Sequence, residues 1–363
     1  MNPTTIILLV AGLALLVGGA ELLVKGAAGL AIAAGISPLV VGLTVVALGT
    51  SAPELAVSVS ASLNGKPDIA LGNVVGSNIA NVLLILGVSA VIAPLVVSRQ
   101  LVRVDVPVMI GVSFLLLVLA LDGGVGRGDG VLLAVAIIVY TVLLVRMGRK
   151  QGAEQKAATA SAGAEPIPVP RGGAAGQVLL VGAGLALLVL GSRWLVNGAV
   201  EIAQMLGVSD LVIGLTVVAV GTSLPEIATS VLATLRGARD MAVGNVVGSN
   251  IYNILLILGL SAMVSPGGIP VAPAALTFDI PVMIAAAVAC LPVAFNGYRI
   301  ARWEGAVFLG YYAAYTLYLI MAASEHDALP VFSRVMQLFV IPLTVMTLVV
   351  VTWRAFRERT AAP

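Results

Sequence analysis

Two eight-residue stretches decide how this chain folds: Ala47-Leu48-Gly49-Thr50-Ser51-Ala52-Pro53-Glu54 and, 172 positions later, Ala219-Val220-Gly221-Thr222-Ser223-Leu224-Pro225-Glu226. Both sit midway along apolar runs long enough to cross a bilayer, which takes roughly 20 residues. A proline inside such a helix removes a backbone donor and frees the carbonyl one turn upstream. Here that points to Gly49 and Gly221, with Ala47 and Ala219 just before them. A lone carboxylate at the bilayer centre costs about 2.5–3.5 kcal/mol or more, and unwound backbone is tolerated at that depth only where it lines a protein-enclosed cavity. Carbonyls, Thr and Ser hydroxyls and a carboxylate within eight residues make an oxygen-rich cage. Hard cations such as calcium take about six to eight oxygen ligands. Glu54 and Glu226, with Thr50 and Thr222 beside them, are therefore the predicted metal-facing residues.

The surroundings repeat as well. Residues 36–90 and 208–262 align without a gap and are identical at 38 of 55 positions. Within that span, Gly72-Asn73-Val74-Val75-Gly76-Ser77-Asn78-Ile79-Ala80-Asn81 returns as Gly244-Asn245-Val246-Val247-Gly248-Ser249-Asn250-Ile251-Tyr252-Asn253. Ser77 and Asn81 are spaced i, i+4 and share a helix face, as do Ser249 and Asn253. The glycine pairs 72/76 and 244/248 are small-xxx-small signals for close helix approach. Weaker matches follow, Asp105 with Asp279 and Tyr140-Thr141 with Tyr315-Thr316.

Composition fixes the solvent. Of 363 residues, 60% are hydrophobic and only 10% charged, against about a quarter charged in soluble domains. The sequence predicts an all-α polytopic membrane protein with helices near 5–32, 37–62, 68–95, 103–121, 130–147, 177–204, 209–235, 240–264, 275–295, 303–322 and 330–353. Residues 1–147 form one five-helix repeat, 148–176 a polar linker, 177–322 the second repeat, and 323–363 an extra helix with a basic tail. Five helices per unit send the second copy in from the opposite side. Inverted repeats with a midplane site between them mark secondary transporters. With the N-terminus outside, fourteen Lys and Arg residues fall in cytoplasmic segments and three in outer ones, a strong positive-inside bias. That predicts a multi-pass inner (plasma) membrane protein with a cytoplasmic linker and C-terminus.

Other functions fit poorly. There is no basic stripe interleaved with aromatics for nucleic acid. The one cysteine, Cys290, lies in an apolar run as an inert thiol, and His326 lies in a polar turn, so no nucleophile has a partnering base. No cofactor and no obligatory protein partner is indicated, only the transported ions and the bilayer. Kinking prolines, backbone-bonded serines and packing glycines are each common in membrane helices; the complete set in duplicate is not. Glu21, Lys25 and Arg193 read as snorkelling or locally paired charges, and Asp105 and Asp279 as residues at helix starts.

These motifs resemble the alpha repeats of the cation/calcium exchanger superfamily, in particular prokaryotic sodium/calcium exchangers. The resemblance implies an ion cluster formed by Thr50, Ser51, Glu54, Ser77, Asn81, Thr222, Ser223, Glu226, Ser249 and Asn253, with the carbonyls of Ala47 and Ala219. It implies antiport of calcium against sodium by alternating access. The proton-coupled branch carries Gly-Asn-x-x-Glu in place of this chain's Gly-Thr-Ser-x-Pro-Glu, which leaves proton-coupled exchange as the alternative. At Asn253 some archaeal and potassium-dependent members carry Asp; Asn resembles the potassium-independent animal exchangers and implies no potassium coupling.

Overall fold

The computed structural model describes residues 3–161, 173–206, 219–295, 298–347 and 349. Among them, eight helices are long and apolar enough to cross a membrane, and a bent pair supplies a ninth span. In chain order they are α1 (Pro3–Ala34), α2 (Pro38–Thr50), α3 (Ala52–Leu63), α4 (Pro67–Ile92), α5 (Leu101–Leu119), α6 (Arg127–Ser161) and α7 (Gly173–Met205). Then come α8 (Ala219–Thr222), α9 (Leu224–Leu235), α10 (Arg239–Val264), α11 (Ala275–Asp279 continuing as Ile280–Phe295), α12 (Arg302–Ala323) and α13 (Leu329–Thr347). The first part of the expected helix 209–235 lies outside the described residues, and α8 with α9 is its remainder. The shorter apolar α9 and α11 fall within the expected helices 209–235 and 275–295.

The two halves contact one another reciprocally. Four two-residue strands, β1 (Leu95–Val96), β2 (Gly124–Val125), β3 (Ile269–Pro270) and β4 (Arg299–Ile300), pair as β1 with β4 and β2 with β3, both antiparallel. Each strand of one half thus meets the non-equivalent strand of the other. Helices α1 and α7 run along each other backbone to backbone. A Cβ placed on Gly19 would come within 2.8 Å of the Gly184 carbonyl, and one on Gly191 within 2.7 Å of that of Gly12. Small residues at seven-residue spacing allow this contact where lipid provides no hydrophobic drive for association. Gly248 and Gly244 meet the α2 backbone at Leu43 and Leu39 in the same manner. The segment equivalent to that partner, 211–218, lies outside the described residues.

Several features were not in the sequence reading. Short π-helical turns interrupt α2 at Gly42–Val46, α4 at Asn81–Leu86, α5 at Leu101–Asp105, α10 at Asn253–Leu258 and α11 at Ala275–Asp279. Such turns often mark functional positions; two of them begin at Asn81 and Asn253. Helix α6 runs on through Ser161 into the predicted linker, because Lys, Gln, Ala and Glu there readily propagate an existing helix. Asp105 and Asp279 are not at helix starts. Each ends a π-turn inside its helix and accepts a tyrosine hydroxyl, Tyr140 at 3.1 Å and Tyr315 at 3.0 Å. Ser98 caps α5 earlier, at the Leu101 N–H. Glu21 lies well inside α1 and pairs with Arg236 beyond the end of α9, while Arg193 lies inside α7 and lines a cavity.

Candidate ion-binding site

The break between α2 and α3 falls on Ser51 (φ −80°, ψ 8°), and the axes bend by 45° there. Ser223 has nearly the same geometry, φ −85° and ψ 6°, between α8 and α9. Both prolines stand in the first turn of the resumed helix, where the missing N–H costs least. Restarting the helix at that point brings Glu54 and Glu226 one turn further on, both 1% exposed.

The two halves exchange hydrogen bonds at these carboxylates. Ser51 Oγ donates to Glu226 Oε1 at 3.0 Å, and Ser223 Oγ donates to Glu54 Oε1 at 3.5 Å. Each glutamate is thus held by the serine of the opposite break. Helix α3 packs against the π-turn that starts at Asn253, and α9 against the one that starts at Asn81. Thr50, Ser51, Glu54, Ser77 and Asn81 are all buried, as are Ser223, Glu226, Ser249 and Asn253. Thr222 lines a cavity beside the site.

The carbonyl of Ala47 already meets two donors of its own half. It accepts both the Ser51 N–H at 3.1 Å and the Thr50 hydroxyl at 3.4 Å, because helical turns persist up to the break itself. In the second half the Ser223 N–H bonds Val220 instead, at 3.1 Å. That tighter turn moves the equivalent bond off Ala219.

Five buried side-chain oxygens here have no hydrogen-bond partner: Glu54 Oε2, Glu226 Oε2, Asn81 Oδ1, Asn253 Oδ1 and Ser249 Oγ. Buried polar atoms are rarely left so, and a cluster of bare oxygens with no nitrogen or sulfur among them suits a hard cation as cargo. Among the described residues no group of three or more His, Cys, Asp or Glu could hold a metal. The negative charge of the cluster is therefore that of Glu54 and Glu226.

Six residues of this network were missed in the sequence. Asn73 Nδ2 donates to the Glu54 carbonyl at 3.2 Å and to Ser58 Oγ at 2.9 Å. Its counterpart Asn245 donates to Ser230 Oγ at 2.9 Å and accepts from Thr50 Oγ1 at 3.2 Å. The signal existed, since Asn73 precedes Ser77 by four residues on the same face. Asn78 and Asn250 lie about 100° off that face, yet they bond Asn253 and Asn81.

The family model described as sodium/calcium exchanger protein matches residues 4–146 and 176–321. The putative antiporter CaxA of Alkalimonas amylolytica is 40% identical over 275 residues, covering 75% of this chain and 84% of that protein. The sodium/calcium exchanger MaX1 of Methanosarcina acetivorans is 36% identical over 297 residues, 74% of this chain and 84% of the relative. A solved structure of the sodium-calcium exchanger NCX_Mj, soaked with zero Na+ and Ca2+, matches with a TM-score of 0.73 at 32% identity, covering 89% of this chain and 99% of that one.

Proposed function

The chain belongs to the sodium/calcium exchanger family and is a membrane antiporter of cations, and on that premise we propose that it exchanges calcium for sodium at one shared cluster around Glu54 and Glu226. The observation that carries this reading is the exchange of serine hydroxyls between the two halves, which draws both carboxylates to one place. Their combined charge of −2 balances one calcium or two sodium ions. Both cargoes need the same oxygens, so they compete for them. An unloaded pair of carboxylates at membrane depth is costly, which discourages return of an empty carrier. Competition together with that penalty gives exchange rather than leak.

Thr50, Ser51, Ser77, Asn81, Thr222, Ser223, Ser249 and Asn253 supply neutral oxygens in this reading, with the carbonyls of Ala47 and Ala219 at the breaks. We take 1–147 and 177–322 as units inverted in the bilayer, joined by a cytoplasmic link at 148–176, with 323–363 as an added helix and basic tail. Alternating access then moves the α1–α7 pair, joined at its glycine seam, across the paired breaks.

The test is calcium-45 uptake into proteoliposomes holding an outward sodium gradient. Uptake that follows the sodium gradient supports the proposal. Uptake driven by a pH gradient in sodium-free vesicles would assign the chain to proton-coupled exchange, in which the same glutamates titrate.

A further inference from the structure

Asparagine carboxamides present either an acceptor or a donor face, and a cation can use only the oxygen. Asn81 and Asn253 are the two amides at the cluster, and both turn Oδ1 to the side where it meets no donor. What fixes that choice lies one layer out. Asn81 Nδ2 donates to Asn250 Oδ1 at 3.2 Å. Asn253 Nδ2 donates to Asn78 Oδ1 and to Ser77 Oγ, each at 2.9 Å. Asn78 and Asn250 are themselves amides, so the question moves one step further.

It ends on methionine sulfur. Asn250 Nδ2 donates to Met109 Sδ at 3.3 Å. Asn78 Nδ2 donates to Met283 Sδ at 3.6 Å and to the backbone carbonyl of Asn250 at 3.3 Å. A thioether and a carbonyl can only accept, so both outer amides must point their NH2 groups at them. Their oxygens then face inward, the inner amides must answer with NH2, and the inner oxygens are left for the ion. All six side chains are 3% exposed or less, so water cannot supply an alternative partner.

We propose that Asn78 and Asn250, each braced by a methionine of the opposite half (Met283 and Met109), are positioning residues that lock the carboxamides of Asn253 and Asn81 oxygen-first toward the transported cation. Without the acceptor-only sulfur the relay has two orientations, and in the reversed one the cluster meets calcium with N–H groups. The inference rests on the cation-exchange reading of the same site and adds to it the device that sets ligand polarity. Partners of this outer kind typically change metal affinity by about 10–100-fold when lost.

Equilibrium calcium-45 binding to the purified full-length protein tests the proposal, in the parent and in an Asn81→Asp background. A carboxylate has two oxygens and nothing to orient. Asn250→Leu is expected to weaken calcium binding about ten-fold or more in the parent and several-fold less in the Asn81→Asp background. Met109→Leu keeps the apolar volume and removes only the acceptor; it is expected to weaken binding in the same background-dependent way by a smaller factor. It covers the case in which Asn250→Leu does not fold. An equal loss in both backgrounds would reduce these residues to packing, and unchanged affinity in both variants would remove them from the site's chemistry. Either outcome overturns the relay while leaving the exchanger reading in place. A parent protein that binds no calcium overturns both.

Discussion

The two halves agree at the carboxylates and differ one turn away. Helix α3 and its counterpart α9 carry equally buried glutamates, yet beyond them α3 borders a cavity of about 360 Å³ lined by Ala56, Val57 and Ser60 together with Arg193 and Asn197 of α7. The equivalent flank of α9 is covered by α1. Val57 is 40% exposed, and its counterpart Thr229 only 1%. Two helices identical at 7 of 12 positions thus stand in two environments, one bordering a cavity and one covered by α1. An alternating-access carrier caught in one of its two states would have this asymmetry around a symmetric site. The sharpest way to break the comparison is at the shared part. Glu54→Gln and Glu226→Gln are each expected to abolish gradient-driven calcium-45 flux, a loss beyond the about 10–100-fold typical of outer-shell partners. Wild-type flux in one of the two would show that the halves are unequal at the site itself.

Next in size is the difference in access. Cys290 is buried, so introduced thiols report against a quiet background. Val57→Cys is expected to react readily with a membrane-impermeant thiol reagent. If the carrier works by alternating access as proposed, Thr229→Cys is reachable only through the other state, and minor states commonly hold about 0.1–10% of molecules. Its labelling should therefore be about 10- to 1,000-fold slower. Equal rates would mean that the sealed and open flanks are not two states of one carrier.

How much of this was legible depends on what duplication makes visible. Thr50, Ser51 and Glu54 could be read because polar atoms at membrane depth are expensive, and their recurrence at Thr222, Ser223 and Glu226 removes chance. Ser77 and Asn81 followed from spacing. Asn78 and Asn250 did not, because they leave the i, i+4 stripe and reach the site across the halves, which only the packing of α4 against α10 creates. Met109 and Met283 look like any core residues until an amide is seen beside the sulfur. The π-turns at Asn81 and Asn253 occupy apolar runs whose side chains also suit a plain α-helix. The carbonyls of Ala47 and Ala219 sit in near-identical sequence, so their different hydrogen bonding could not be read from it.

The smallest expected effect concerns what holds the sealed flank shut. Glu21 of α1 and Arg236 just past α9 form an ion pair whose side chains are 51% and 58% exposed. The position equivalent to Glu21 is Arg193, which faces the open cavity, so the charge at this point is reversed between the halves and, among the described residues, only one flank has the pair. Exposed ion pairs contribute about 0.2–1 kcal/mol, too little to lock a carrier and enough to bias it. Since about 1.4 kcal/mol is ten-fold in an equilibrium, Glu21→Gln is expected to raise labelling of Thr229→Cys by up to about five-fold and to lower that of Val57→Cys only slightly. High salt should act in the same direction by screening the pair, and the charge-swapped double variant Glu21→Arg with Arg236→Glu should restore the slow rate. If Glu21→Gln leaves both rates unchanged, the backbone contact of α1 with its neighbours, rather than the charge, sets which flank is closed.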